Sequence, residues 1–234
     1  MGLVAVVLLA LGACRPVAPP VPAVGFYGDS LGSQAQPYVA ASLATSGTPV
    51  DLQPHTFGGQ ALCDYSSRIL DDIATRRVAV AVLEFAGNNL TPCMRDGSGV
   101  SLPHGSAEFA NRYREGMRAI FHAAAANGTK VVWATTPPKS GSTIAEDLTT
   151  IAREEAAGLA GISVAPTGAA LTEDGVTFTP TLPCYPDEIG RGCGSDGRIV
   201  VRHDDGLHLA DAYSPGGRRF GEAIAAAALA ALRS

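Results

Sequence analysis

The sequence predicts one α/β domain of three layers, in which a short parallel sheet is covered by helices on both faces. Two observations carry this prediction. Short apolar runs alternate along the chain with longer segments of helical spacing, and each run is continuous and not interrupted by polar residues at every second position. Such runs are typical of parallel strands that are buried on both faces. A length of 234 residues fits one sizeable domain of this kind.

The predicted elements follow one another in regular order. The predicted strands are residues 24–27, 50–53, 78–85, 131–135 and 162–165. The predicted helices are residues 36–45, 65–76, 107–127, 143–159 and 215–232. Residues 172–206 are the exception, since they are rich in proline and glycine and show no clear period. A loop of that length in a compact domain is usually functional or cross-linked.

Composition and charge argue against several classes of function. The net charge is -5 and no long basic run occurs, so a nucleic-acid partner is not expected. The apolar fraction of 46% is ordinary for a globular core. The cysteines and histidines show neither Cys-x-x-Cys nor His-x-x-x-His spacing, and we therefore predict no structural zinc site and no other cofactor.

Residues 1–14 are expected to form an export signal. Residues 3–11 are almost wholly apolar but shorter than the roughly 20 residues that span a bilayer. The segment ends in Leu-Gly-Ala-Cys, which resembles the bacterial lipobox and implies a lipid on Cys14. It departs from an ordinary signal in having no Lys or Arg before the apolar run. A buried first strand or helix is the alternative.

A spacer is expected between this signal and the folded domain. Residues 15–22 contain four prolines and predict an extended segment, which leaves residues 23–234 as the domain. We therefore expect a secreted protein, or a lipoprotein on the outer face of the cell membrane. Membrane contact is expected only through the N-terminal lipid, and the sequence does not indicate an oligomeric state.

The chain has five cysteines. This odd count is explained if Cys14 carries lipid and the other four cysteines form disulfides. Four cysteines allow three pairings. We favour Cys63 with Cys93, which follow predicted strand ends at one edge of the sheet, and Cys184 with Cys193, which close one loop. Four free thiols in a cytosolic protein are the alternative.

Two short segments near opposite ends of the chain supply a candidate nucleophile and base. In Phe-Tyr-Gly-Asp-Ser-Leu an apolar strand runs into a polar turn, which places Ser30 at the mouth of the sheet. In Asp-Gly-Leu-His a carboxylate, Asp205, precedes His208 by three residues. His208 is the predicted base for the Ser30 proton, and Asp205 is predicted to hold the imidazole. Asp204 and Asp211 are competing partners for His208.

Four sequence blocks together resemble the SGNH (GDSL-type) hydrolase family, from residue 24 to the end of the chain. They are Gly-Asp-Ser-Leu at 28–31, Phe-Gly-Gly-Gln at 57–60, Ala-Gly-Asn-Asn at 86–89 and Asp-Gly-Leu-His at 205–208. The third block departs from the family pattern Gly-x-Asn-Asp at its first and last positions. The resemblance implies a flavodoxin-like α/β/α fold and serine-dependent ester hydrolysis.

The resemblance also implies the donors of an oxyanion hole. They are the backbone N–H groups of Ser30 and Gly59 and the side-chain amide of Asn88, with Gly58 and Asn89 as alternatives. Donors that are fixed in advance around a developing negative oxygen stabilise the tetrahedral intermediate of ester cleavage. A glycine is suited to this position because the absence of a Cβ lets the backbone approach a substrate closely.

We interpret the chain as an exported serine esterase that needs no metal and forms an acyl-enzyme on Ser30. Small-molecule esters and the esters of envelope glycans or lipids are the candidate substrates. An acyltransferase that uses the same acyl-enzyme and a non-catalytic envelope-binding protein are the alternatives. The acyl length and the alcohol are not predicted.

Residues outside the four blocks receive weaker predictions. Residues 135–139 follow a strand on the catalytic edge and either line the acyl or alcohol pocket or form a structural turn. Trp133 is predicted to lie in the core. The remaining histidines are predicted to be surface or packing residues: His55, His104, His122 and His203.

Overall fold

The computed structural model describes residues 20–211 and 215–234. Its central strands are β1 (Ala23–Gly28), β2 (Asp51–Thr56), β3 (Val80–Glu84), β4 (Lys130–Ala134) and β5 (Ile162–Ala165). They form one parallel sheet in the order β2-β1-β3-β4-β5. This is the strand order of flavodoxin-like folds, and it confirms the predicted fold class.

Helices cover both faces of this sheet. They are α1 (Ser30–Thr45), α2 (Leu62–Ala74), α3 (Ala107–Asn127), α4 (Ile144–Ala156) and α5 (Pro215–Arg233). Helices α1 and α5 pack together on one face, and α2, α3 and α4 pack in a row on the other. Two separate apolar clusters result, one on each side of the sheet. The buried Trp133 belongs to the cluster on the side of α2, α3 and α4. Among the described residues, no helix combines the length and apolarity that crossing a membrane requires.

The strands show why the sheet could be predicted from apolar runs. Val80 and Val82 of β3 point toward α1 and α5, while Ala81 and Leu83 point toward the other layer. A strand that is buried on both faces has no polar side, so every position is apolar until the strand ends at Glu84. The edge strand β2 is more exposed and contains Pro54, which an edge position tolerates.

The segment without a clear sequence period contains short elements. Strands β6 (Thr181–Pro183) and β7 (Arg198–Val200) form an antiparallel pair. Strands of three residues are too short to show a period of two in the sequence, which is why this pair was not predicted. Three 3₁₀ helices complete the described structure, at Pro92–Met94, Thr167–Leu171 and Pro186–Glu188.

Both favoured disulfides are present. Cys63 bonds to Cys93 and Cys184 bonds to Cys193, with Cα–Cα distances of 6.1 Å and 6.0 Å. The first bond joins the start of α2 to the 3₁₀ helix after β3, and the second closes the segment between β6 and β7. The predicted signal, most of the spacer and Cys14 lie outside the described residues and stay predictions.

Candidate active site

Helix α1 begins directly at Ser30, six residues before the predicted start. Asp29 caps the helix, because its side chain accepts a hydrogen bond of 3.0 Å from the Leu31 N–H. The sequence pattern obscured this start, since Gly32 and Ser33 are weak helix formers. The observed start places Ser30 at the carboxyl end of β1 and at the N-terminus of a helix, where free backbone N–H groups favour negative charge.

Ser30, His208 and Asp205 form a chain of hydrogen bonds. The Ser30 Oγ lies 2.9 Å from His208 Nε2, and His208 Nδ1 lies 2.6 Å from Asp205 Oδ2. Because a carboxylate only accepts, Nδ1 carries the proton and Nε2 is left to accept from the serine hydroxyl. Both ring nitrogens are thereby used, so neither Asp204 nor Asp211 takes the place of Asp205.

The loop around Asp205 holds this carboxylate in its charged form. Asp205 Oδ1 accepts hydrogen bonds of 2.9 Å from the backbone N–H groups of Leu207 and His208. Burial alone would raise the pKa of Asp205, but these bonds and the His208 ring lower that pKa well below its usual range. The loop is closed by a hydrogen bond of 2.8 Å from the His203 N–H to the His208 carbonyl.

The two glycines of the second block lie in a turn beside the nucleophile. Residues 57–60 form the turn, and Gly59 has φ +82°, which fits the third position of a type II turn. A Cβ added at Gly58 would lie 3.7 Å from the Ser30 Cβ, which makes Gly58 a direct neighbour of the nucleophile. The positive φ of the turn therefore explains the glycine at position 59, and the close approach to Ser30 explains the glycine at position 58. Either N–H remains a candidate oxyanion donor.

Asn88 occupies the junction of three loops. Its Nδ2 donates to Asp29 Oδ2 at 2.9 Å and to the Gln60 carbonyl at 3.1 Å. Asn89 instead donates to the Leu102 carbonyl at 2.7 Å. Asn88 is thus the member of the pair that lies beside the nucleophile loop. Both of its amide protons are engaged, so donation to a substrate oxygen would require one of these bonds to open or to be shared.

Asp29 joins the candidate site, although the sequence analysis did not single it out. Its buried carboxylate accepts from the Leu31 N–H, from the Ala86 N–H at 2.6 Å and from Asn88. Burial raises the pKa of Asp29 to about 6, although these donors and the charge of His208 act in the opposite direction. The sequence feature that could have identified Asp29 is an acidic side chain directly after a buried strand.

An open cavity of about 610 Å³ is lined in part by Pro138, Lys139, Phe178 and His104. A smaller one of about 170 Å³ shares its Pro138 wall and reaches Thr135 and Thr136. The place of residues 135–139 in an acyl or alcohol pocket stays a prediction. Residues in or next to the cavity wall contact the loop that carries His208 and the loop that carries Asn88.

Both contacts are hydrogen bonds to backbone carbonyls, one from the Ser140 backbone and one from the His104 ring. The Ser140 N–H donates to the Gly206 carbonyl at 3.1 Å, between Asp205 and His208. His104 Nε2 lies 2.9 Å from the Gly87 carbonyl, next to Asn88. His104 is exposed and packs edge-on against Phe109, as its predicted surface or packing role allows, and it also contacts the loop that carries Asn88.

One group of potential metal ligands comes together among the described residues, namely Cys63, Asp64 and Cys93. The two cysteines are joined in a disulfide, so their sulfurs are not available as thiolate ligands.

Sequence comparison places the chain in a family. The family described as "Protein of unknown function (DUF459)" matches residues 23–227. The chain belongs to this family. The DUF459 chain matches no curated protein in sequence.

Several solved structures share the fold of the DUF459 chain. A lipase/acylhydrolase from Enterococcus faecalis is 17% identical, with a TM-score of 0.57 over 88% of this chain and 94% of that one. An acetyl xylan esterase is 19% identical, with a TM-score of 0.55 over 88% and 98%. A GDSL-like lipase from Bacteroides thetaiotaomicron is 16% identical, with a TM-score of 0.57 over 93% and 92%. The similarity confirms the SGNH hydrolase fold that the four blocks predicted.

Proposed function

We propose that the protein is a serine esterase that cleaves carboxylic esters through an acyl-enzyme on Ser30. The observation that carries the proposal is the hydrogen-bonded chain from Asp205 through His208 to Ser30 at the carboxyl end of β1. A nucleophile, a base and a carboxylate that orients the base are the groups that serine-dependent acyl transfer needs. The solved structures of similar fold include proteins described as lipase, acylhydrolase and acetyl xylan esterase, which supports the same chemistry.

The first half of the reaction forms the acyl-enzyme. His208 Nε2 takes the proton of the Ser30 hydroxyl while Oγ attacks the carbonyl carbon of the ester. The imidazolium is stabilised by Asp205, whose carboxylate is held in the charged form. Collapse of the tetrahedral intermediate breaks the bond to the alcohol oxygen, which receives the proton from His208.

The second half releases the acid. Water loses a proton to His208 Nε2 and attacks the acyl carbon, and the Ser30 oxygen then leaves and regains that proton. Both tetrahedral intermediates carry a negative oxygen. The N-terminus of α1 with the Ser30 N–H, the N–H of Gly58 or Gly59, and the Asn88 amide are the donors that we assign to it.

The open cavity of about 610 Å³ is the proposed place of the larger substrate group. Its wall carries a partly buried ring, Phe178, together with charged side chains such as Asp147 and Lys139. This mixture suits a polar alcohol such as a sugar, with the apolar ring against one of its faces. Two disulfides are typical of proteins in oxidising compartments, which supports export and a substrate in the cell envelope.

The test is hydrolysis of p-nitrophenyl acetate by Ser30→Ala and His208→Ala. Each variant should lower kcat by about 10⁴-fold or more, because the members of a triad act as a unit. Ser46→Ala, at the far end of α1, is the matched control and should keep wild-type kcat. A fluorophosphonate should label wild-type Ser30 and leave Ser30→Ala unlabelled. Turnover that survives in Ser30→Ala would refute the proposal.

Product analysis with a free sugar in the assay then separates two outcomes. We expect the free acid. Recovery of the acyl group on the sugar would instead indicate an acyltransferase with the same acyl-enzyme.

A further inference from the structure

Four buried side-chain atoms in the described part of the chain have no hydrogen-bond partner, and they belong to only two residues. They are both carboxylate oxygens of Glu84 and the Nε and Nη1 of Arg202. Glu84 is 0% exposed and Arg202 is 2% exposed. Buried ionisable groups without partners are costly and rare, so their occurrence in one acidic and one basic side chain calls for a specific explanation.

Glu84 lies against the loop that carries the nucleophile. It is the last residue of β3, and a Cβ added at Gly32 would lie 2.9 Å from its Oε2. Gly32 belongs to the first turn of α1, two residues after Ser30. The Glu84 carbonyl also accepts a backbone hydrogen bond of 3.3 Å from Asp29. The carboxyl group is therefore packed directly beneath the Ser30 loop.

Arg202 occupies the corresponding position beneath the loop that carries the base. Its Nη2 donates to the Leu207 carbonyl, which precedes His208 in the chain. Its backbone forms an isolated bridge with Leu209, so that residues 202–209 make a closed loop. Its guanidinium lies 5.7 Å from the centre of the Phe178 ring. The side chain thus fills the interior of the His208 loop.

The charges of the two groups act on each other. Burial and the adjacent Asp29 carboxylate raise the pKa of Glu84 well above its usual range, and the nearby Gly32 backbone N–H and the charge of Arg202 oppose this rise. Burial lowers the pKa of Arg202 to about 10, and the charges of Asp205 and Glu84 oppose this fall.

Glu84 lies beneath the Ser30 loop and Arg202 lies inside the His208 loop, and the hydrogen bond of 2.9 Å between Ser30 Oγ and His208 Nε2 joins these two loops. The two buried side chains therefore lie behind the same junction between the nucleophile loop and the base loop.

We propose that Glu84 and Arg202 are positioning residues that hold the Ser30 loop and the His208 loop at a fixed separation, through ordered water between the carboxyl group and the guanidinium. The proposal rests on the proposed esterase function. A buried water typically makes about three hydrogen bonds to polar groups that lack other partners, and these two side chains offer four such atoms. A displacement of about 1 Å between nucleophile and base can cost about 10²-fold in rate.

The experiment measures kcat and KM for p-nitrophenyl acetate in Arg202→Met, Arg202→Lys, Glu84→Leu and Glu84→Gln. Sites are counted by fluorophosphonate labelling, so that only folded protein enters kcat. Arg202→Met and Glu84→Leu should lower kcat by about 10²-fold with KM within about threefold, because misplacement acts on the transition state. Arg202→Lys and Glu84→Gln should recover part of that loss, since each keeps a polar group in the buried region.

The matched control is a second buried arginine. Arg219 pairs with Glu188, and both are nearly inaccessible, but their polar atoms have partners, which lie at the end of β6 and in the segment after it. Arg219→Met should lower the melting temperature without changing kcat per labelled site. A general effect of destabilisation would appear equally in this control.

Two results would overturn the proposal. The first is a wild-type kcat in Arg202→Met and Glu84→Leu, or a loss no larger than in Arg219→Met. If the apolar variants do not fold, the second result decides the question. The second is a crystal structure without ordered water between Glu84 and Arg202. Failure of the esterase function is distinct, because turnover would then survive in Ser30→Ala.

Discussion

At the scale of single residues, Asn88 and Asp29 connect the parts of the site. Asn88 donates to Asp29 and to the Gln60 carbonyl, and Asp29 also accepts from the backbone of the nucleophile loop and of the Asn88 loop. These bonds fix the loops after β1, β2 and β3 relative to one another. They hold the Asn88 amide beside the Ser30 loop, and one of its two hydrogen bonds opens or is shared when the amide donates to the tetrahedral oxygen.

The first prediction separates Asn88 from its neighbour. Asn88→Ala should lower kcat by about 10²-fold or more with little change in KM, since it removes a donor to the tetrahedral oxygen. Asn89→Ala should keep most of kcat and lower the free energy of unfolding by about 1 to 3 kcal/mol, because the Leu102 carbonyl loses its donor. Steady-state kinetics and urea unfolding of both variants measure this. The reverse assignment of effects would move the oxyanion role to Asn89.

The second prediction concerns the pH dependence of stability through Asp29. Its pKa is raised from an ordinary value of 3.8 to about 6 in the folded protein, so the fold favours the protonated form. Its contribution to stability is therefore fully present below about pH 4 and is lost as pH rises through about 6, by about 3 kcal/mol in total.

Asp29→Asn does not titrate, so it isolates this contribution. The free energy of unfolding of the wild type minus that of Asp29→Asn should fall between pH 4 and pH 6. Urea unfolding at intervals of half a pH unit measures the difference. A difference that rises with pH across this window would show that the fold instead favours the carboxylate.

At the scale of elements, the first disulfide links two of the loops that carry the site. Cys63 follows the Gly58-Gly59 turn at the start of α2, and Cys93 follows Asn88 in the 3₁₀ helix after β3. A covalent bond there restrains both loops at once. The second disulfide, between Cys184 and Cys193, closes a loop of only 9 residues near β6 and β7.

The third prediction compares the two disulfides. Replacing both Cys63 and Cys93 by serine should lower the free energy of unfolding by roughly 3 to 4 kcal/mol, since the bond closes a loop of 30 residues. It should also lower kcat, because the oxyanion donors are less restrained. The corresponding change at Cys184 and Cys193 should cost less stability, about 2 to 3 kcal/mol, and leave kcat near wild type. Equal kcat in both double variants would contradict the proposed link to the site.

At the scale of the whole molecule, the strand order determines where the candidate active site lies. The chain reverses direction across the sheet between β1 and β3, and ligands of such sheets bind outside the carboxyl ends of the strands at that point. Ser30 follows β1, with the Gly58-Gly59 turn on one side and Asn88 on the other. The His208 loop approaches the same edge and completes the site.

The fourth prediction concerns export of the whole protein. Protein isolated from its native compartment should begin at Cys14 with a lipid attached and should carry both disulfides. Mass spectrometry of the N-terminal peptide and peptide mapping under non-reducing conditions measure these two features. An unmodified Met1 would refute export, and four alkylatable thiols would refute the oxidised state.

The sequence alone was sufficient for the fold class, the five sheet strands, the helix α3 and the candidate nucleophile, base and carboxylate. These features depend on local patterns. A strand that is buried on both faces must be apolar throughout, as in β3, and α3 has a serine cap and a glycine end that mark its bounds. Ser30, Asp205 and His208 lie in short motifs, so their order could be read along the chain.

Only the tertiary structure decided which residues support that chemistry. Asp29 meets Asn88, and Glu84 lies behind the same loop junction as Arg202, because parallel strands bring loops that are distant in sequence to one edge. The contact of His104 with the Asn88 loop arises in the same way. Such contacts leave no periodic signal in the sequence, since the free energy of each depends on burial and on the position of its partner and not on neighbouring residues.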